Sequence, residues 1–204
     1  MISSVLDYRK RMHEKINIQT NKTQKVLDAG CGEGGDTILL SNRVKEIIGV
    51  DINAHPNWGK IKKDNVKFQV ADICNLPFAE EDFDITFSKE ALHHVSEPEE
   101  ALKEINRVTT VGGTIVIVEA NRFNPIFYFH MTLMLEHQHF TRSKFQRIIN
   151  SVFPEAKFNR FEGRVYLTNN SFIIKLCHKF EDVVENISLF DKFLTYNYAI
   201  VKLK

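Results

Sequence analysis

The stretch Val26–Leu40, VLDAGCGEGGDTILL, sets Gly30, Gly32, Gly34 and Gly35 just behind a carboxylate, Asp28. A turn so rich in glycine admits a ligand close to the backbone and accepts positive φ angles. The helix that begins there offers free N–H groups and the positive end of its dipole to a nucleotide. A side chain at Gly30 or Gly32 is expected to fill the ligand's space. Gly30, Gly32 and Gly35 match the dinucleotide spacing G-x-G-x-x-G, whereas Asp28 taken with Gly30, Gly32 and Gly34 fits a different adenosine cofactor. Asp51 stands 21 residues after Gly30, where an acid can accept both ribose hydroxyls and disfavours a 2′-phosphate. Asp72 follows another apolar run and can accept from an adenine amine, with Ile73 and Leu76 as apolar cover. Asp28 lies inside an apolar strand, which is costly unless it is hydrogen-bonded. It is expected to brace the glycine turn and to sit near a cationic ligand tail.

A second chemistry is proton transfer. His93 and His94 follow the run FDITFS (Phe83–Ser88). An imidazole titrates near ~6.5 in water and suits a general base at neutral pH. No ligand set of recognised spacing accompanies the pair, so no metal is expected. His137 and His139 are expected at the surface or in a substrate pocket. The three cysteines, Cys31, Cys74 and Cys177, are widely spaced. They read as free thiols rather than a disulfide framework.

These residues need rigid elements behind them. Near-continuous apolar runs predict strands at Lys25–Ala29, Glu46–Asp51, Val66–Ala71, Phe83–Ser88 and Gly113–Ala120. Helices are expected at Asp36–Arg43, near Pro56–Lys62 and at Pro98–Thr110. Ser96 and Glu99 read as a capping box for the last of these, and Gly112-Gly113 as its end. The alternation implies a doubly wound α/β sheet. Further on, 121–150 reads as one or two helices, Ala156–Phe161 as a strand and Ser171–Asn186 as containing a helix. Leu194–Val201 reads as a last strand. An N-terminal helix within residues 1–24 completes a single domain.

The 204 residues, 43% of them hydrophobic, suit one core. A net charge of +1 points globally to neither nucleic acid nor an anionic membrane. The run RKRMHEK keeps an RNA substrate open. The start, MISSVLDYRKRMHEK, does not read as a signal peptide. No run of 18 apolar residues predicts a membrane span, so the expected location is the cytoplasm.

Together VLDAGCGEGG, IIGVDIN, VADICNLPFAEEDFD and FSKEALHHVSEPEEALKEINRVTTVGGTIVIVEAN resemble the class I S-adenosylmethionine-dependent methyltransferases. The likeness is to their type-11 methyltransferase domain, collinear over about Lys25–Asn121. The resemblance implies a Rossmann-like, seven-stranded, mostly parallel sheet with an antiparallel last strand. It implies S-adenosyl-L-methionine as cofactor, held by Asp28, Gly30, Cys31, Gly32, Gly34, Asp51, Ile52, Asp72, Ile73 and Ser88. In similar enzymes a histidine at the place of His93 or His94 is proposed as base. A nicotinamide cofactor would leave Asp28 and Asp72 unexplained and this chain without room for a second domain. The Asn/Asp-Pro-Pro-Tyr/Phe segment of DNA-base and glutamine methyltransferases is absent. A small-molecule acceptor, apolar or aromatic, is therefore expected. The alternatives are a tRNA or rRNA methyltransferase, or a non-catalytic binding module. Asn121–Phe140, rich in Phe, Met and His, reads as a substrate lid, with Tyr8, Arg9, Arg11 and Met12 as the opposite wall.

Overall fold

The computed structural model describes residues 3–125, 128, 139–166, 168 and 170–204. The elements run α1 (Ser3–Ile16), β1 (Lys25–Ala29), α2 (Gly35–Ser41), β2 (Glu46–Asp51), β3 (Val66–Val70), β4 (Phe83–Lys89), α3 (Pro98–Val108) and β5 (Thr109–Ala120). They continue with α4 (Arg142–Val152), β6 (Lys157–Phe161), α5 (Ser171–Glu185) and β7 (Tyr196–Lys202). The seven strands form one sheet in the order β3-β2-β1-β4-β5-β7-β6. Neighbours from β3 through β5 are parallel, and β7 runs antiparallel to both β5 and β6. The expected sheet, with its antiparallel last strand, is the one formed.

Alternate residues of the central strands feed two apolar layers, as the period of a strand requires. Ile115 and Ile117 pack with Leu102 and Ile105 of α3 and with Phe145 and Ile149 of α4. Val116 and Val118 face the other way, towards Tyr8, Met12 and Ile16 of α1 and Leu40 of α2. Each fully buried aliphatic or aromatic side chain contributes roughly 1.5–3 kcal/mol over its exposed state. Burial on both faces explains why these strands read as unbroken apolar runs rather than as alternation.

Three local expectations are corrected. The helix near Pro56–Lys62 is only a 3₁₀ turn, Trp58–Lys60. The N-cap of α3 is Glu97, without a side-chain cap bond, so Ser96 and Glu99 do not form a capping box. Pro98 starts the helix instead, its fixed φ suiting the first turn. Nor does Gly112-Gly113 end α3. That helix stops at Val108, where β-branched Thr109 turns extended and its hydroxyl donates back to the Ile105 carbonyl at 2.6 Å. The glycines lie inside β5, where the register against β4 shifts between Phe83 and Ile85. Gly112 has φ +78°, and a Cβ on Gly113 would come within 2.9 Å of the Asp84 carbonyl. Of the segment 121–150, the structure shows α4 and the residues at the margins of the expected lid. Most of 126–138, with His137, lies outside the described residues.

Candidate cofactor and proton-transfer site

The strand order changes direction between β1 and β4, the switch point at which open α/β sheets bind ligands beyond their carboxyl ends. A cavity of about 570 Å³ lies there. Asp28 and Gly30 to Glu33 come from the end of β1, Asp51 and Ile52 from β2, Asp72 to Cys74 from β3, and Lys89 to Ala91 from β4; His94, Val95 and Ser96 close the far end. Of the expected cofactor residues, Asp28, Gly30, Cys31, Gly32, Asp51, Ile52, Asp72 and Ile73 line the cavity, and His94 does too. Gly34, Ser88 and His93 are not among the lining residues.

The glycine turn is locked from two sides. The N–H groups of Gly30 and Cys31 both donate to the Val50 carbonyl at 2.8 Å. The Gly32 N–H donates to Asp51 Oδ2 at 2.8 Å. Gly30, Gly32 and Gly34 all hold positive φ. Their reasons differ from the expectation. A Cβ on Gly30 would stand 2.3 Å from the Ala91 Cβ, so this glycine admits the loop after β4 rather than a ligand. A Cβ on Gly34 would strike Phe68, beneath the turn. Gly32 alone of the three opens on free space, with nothing within 4 Å of its Cβ position. Trp58 caps the turn by donating from Nε1 to the Gly32 carbonyl at 2.8 Å, while its ring stacks on Phe68.

The carboxylates divide the work. Asp51 holds the turn with one oxygen. Asp72 accepts from the Cys74 N–H at 2.9 Å. Ile52 stands 64% exposed beside Asp51, bare apolar surface that a flat ring can cover. Asp28 is buried at 1% exposure and accepts from the Thr37 hydroxyl at 2.5 Å. Burial, then the charge of Asp36, pushes its carboxyl up to about 7. A cationic group beside Asp28 would relieve that cost. The lining thus fits S-adenosylmethionine: open space at the Gly32 Cβ position, acids at the β2 and β3 ends, and an under-compensated buried carboxylate for the ammonium. Burial and the nearby Asp28 and Asp51 push the Cys31 thiol far up, so it serves as neutral lining rather than nucleophile.

Sequence reasoning missed an ionic knot under the turn. Asp36, in the first turn of α2, bonds Arg9, His13 Nε2 at 3.0 Å and Lys89 Nζ at 3.0 Å. Burial alone would raise the Asp36 carboxyl, but Lys89, His13 and Arg9 hold it far below the usual range. Arg9 also grips Glu33 at 2.8 Å. It crosses so close to Gly35 that a Cβ there would lie 2.6 Å from its guanidinium carbon. Of the expected N-terminal wall, Arg9 alone reaches the cavity; Tyr8 and Met12 are core, and Arg11 pairs with Asp182.

The histidines are packed together but not equivalent. Glu119, buried in β5, accepts from the Leu92 N–H at 2.9 Å and shares a 2.7 Å hydrogen bond with His93 Nδ1. Burial raises the Glu119 carboxyl, against the pull of His93. The His93 ring lies 4.0 Å from that of His94 and 4.4 Å from that of His139. His139 is 4% exposed, which takes it away from the surface. Among the described residues no cluster of three or more His, Cys, Asp or Glu side chains is placed to hold a metal.

Known proteins agree with this geometry. Residues 27–117 match a family model described as a methyltransferase domain. The chain is 34% identical over 151 residues to a demethylmenaquinone methyltransferase of Staphylococcus saprophyticus, an alignment covering 67% of this chain and 64% of the relative. It thus spans less than two thirds of that relative's length. Among solved structures, a S-adenosylmethionine-dependent methyltransferase of Thermotoga maritima superposes with TM-score 0.68 at 17% identity, over 98% of this chain and 91% of that one. Geranyl diphosphate C-methyltransferase of Streptomyces coelicolor, solved with S-adenosyl-L-homocysteine, superposes with TM-score 0.67 at 17% identity, over 97% and 79%. The chain thus carries a type-11 methyltransferase domain over residues 27–117, and its fold is that of the class I S-adenosylmethionine-dependent methyltransferases.

Proposed function

We propose that this protein transfers a methyl group from S-adenosylmethionine to a small apolar or aromatic acceptor. The observation that carries the reading is one continuous cavity wall, from Asp28 and Gly32 through Asp51 and Asp72 to His94. Asp51 and Asp72 hold the ribose and adenine ends, and Asp28 holds the ammonium. When bound, the cofactor supplies an electrophilic methyl on a sulfonium. With the donor already activated, this chain's main task is to hold the acceptor in line.

His94 takes the acceptor's proton at the cavity wall. His93 is its positioning residue: Glu119 fixes the His93 ring, and the His94 ring packs tilted against it. Demethylmenaquinone, named for the Staphylococcus saprophyticus relative, is the first acceptor to test. The assay follows labelled methyl from S-adenosylmethionine into a panel of small acceptors and into bulk tRNA and rRNA. Label in a small acceptor, reduced about a hundredfold or more by His94→Ala, supports the reading. Label in RNA alone, or turnover unchanged in His94→Ala, contradicts it.

A further inference from the structure

Helix α5 is mounted with its apolar side outward. Phe172, Leu176, Phe180 and Val183 are 74%, 59%, 68% and 57% exposed. At 3.6 residues per turn they share an arc of about 80°. The face turned to the body carries most of the polar residues beside the buried Ile174. Glu181, 2% exposed, is held by the Tyr166 hydroxyl at 2.5 Å and by Lys15 at 3.4 Å. Glu185 pairs with Lys15, Asp182 with Arg11, and His178 with Asp7 at 3.3 Å. The acids of α5 are thus consumed by α1 and its surroundings, and Asp191, beyond the helix, is paired with Arg160. Among the described residues of 171–193, Lys175, Lys179 and Lys192 are exposed, and the half-exposed Asp182 is already paired with Arg11. The apolar surface continues past the helix in Leu189, 75% exposed, and Phe193, 44% exposed.

We propose that this face docks the protein on an anionic lipid bilayer. A soluble helix ordinarily hides such a stripe, and a contiguous bare patch marks a binding surface. Large apolar side chains edged by lysines are the pattern of a helix lying in a membrane interface. The charge distribution selects the occupant. A second copy would bring together two apolar faces that both carry exposed lysines, whereas an anionic headgroup layer attracts each of them. Helix α5 is tied to α1 through Asp7, Arg11 and Lys15, and α1 carries Arg9 to the cofactor cavity. The inference does not depend on methyl transfer.

The test is co-sedimentation of the full chain with vesicles of phosphatidylcholine, with or without phosphatidylglycerol. Velocity sedimentation without lipid is run in parallel. Binding is expected on the anionic vesicles and not on the neutral ones. It should fall about fivefold for each of Lys175→Gln and Lys179→Gln, and further with added salt. Phe172→Asp should cut it about tenfold or more. Both lysines and Phe172 are exposed and are not among the cavity-lining residues, so S-adenosylhomocysteine binding reports that each variant is folded. Failure to bind, or binding indifferent to lipid charge and to these variants, overturns the proposal. A dimer that Phe172→Asp dissolves, without lipid binding, also overturns it and assigns the face to self-association.

Discussion

Asp28 is the residue whose setting says most about its role. In the unfolded chain it titrates near 3.8, and in the folded protein near 7. A carboxyl raised by folding contributes its stability below the lower value and loses it as pH climbs through the upper one. The ligand-free protein is therefore expected to lose stability between about pH 4 and 7 on account of Asp28. A cationic ligand group favours the ionised carboxylate. Affinity for S-adenosylhomocysteine should accordingly rise with pH through about 7, and Asp28→Asn should flatten that rise. Calorimetric titrations at several pH values check both. Gly30 makes a second residue-scale case. Gly30→Ala must adopt φ +81° and collide with Ala91. A loss of about 1–3 kcal/mol from backbone strain alone is expected in denaturant unfolding. The identity of these residues was plain from the chain, but their reasons were not. Gly30 is spaced like a ligand-contact glycine, and only the fold reveals Ala91 against it.

At the scale of elements, the ionic knot on Asp36 ties α1, α2 and β4 together. Its members, Arg9, His13, Asp36 and Lys89, lie far apart in the chain and follow no motif, so the sequence offered no spacing to find them. Removing one partner leaves buried charge unpaired. Asp36→Ala is expected to cost roughly 3–5 kcal/mol and to loosen α1 from the turn. Thermal unfolding measures the first, and hydrogen exchange over Ser3–Ile16 the second. The central strands, in contrast, were legible to within a few residues, because β1, β2, β4 and β5 are buried on both faces and so read as apolar runs. The misreading of Gly112-Gly113 has a clear origin. A glycine pair after an amphipathic helix looks like a helix terminus, yet here β5 begins at Thr109, and the pair accommodates the register shift against β4.

For the whole molecule, the switch point between β1 and β4 brings one acid from each of three strand ends around a single cavity. That convergence was implied by resemblance and by the spacing of Asp28, Asp51 and Asp72. The outward apolar face of α5 was not, since its stripe alone reads as an ordinary core-facing helix. Only the pairing of Glu181, Asp182 and Glu185 with their partners reverses its orientation. No helix among the described residues is long and apolar enough to cross a membrane.

The central claim is that the cavity at the strand ends binds the adenosyl cofactor through Asp51 and the glycine turn. Calorimetry of S-adenosylhomocysteine against the wild-type chain and Asp51→Ala tests it most directly, with NADH as the competing ligand. Trp58 fluorescence gives a parallel signal, since its indole N–H rests on the Gly32 carbonyl. The account predicts one site per chain for S-adenosylhomocysteine, a loss of affinity of tenfold or more in Asp51→Ala, reflecting about 1.5–3 kcal/mol for a hydrogen bond to a charged group, and no heat with NADH. Binding of NADH in preference to S-adenosylhomocysteine, or equal affinity in Asp51→Ala, would contradict it.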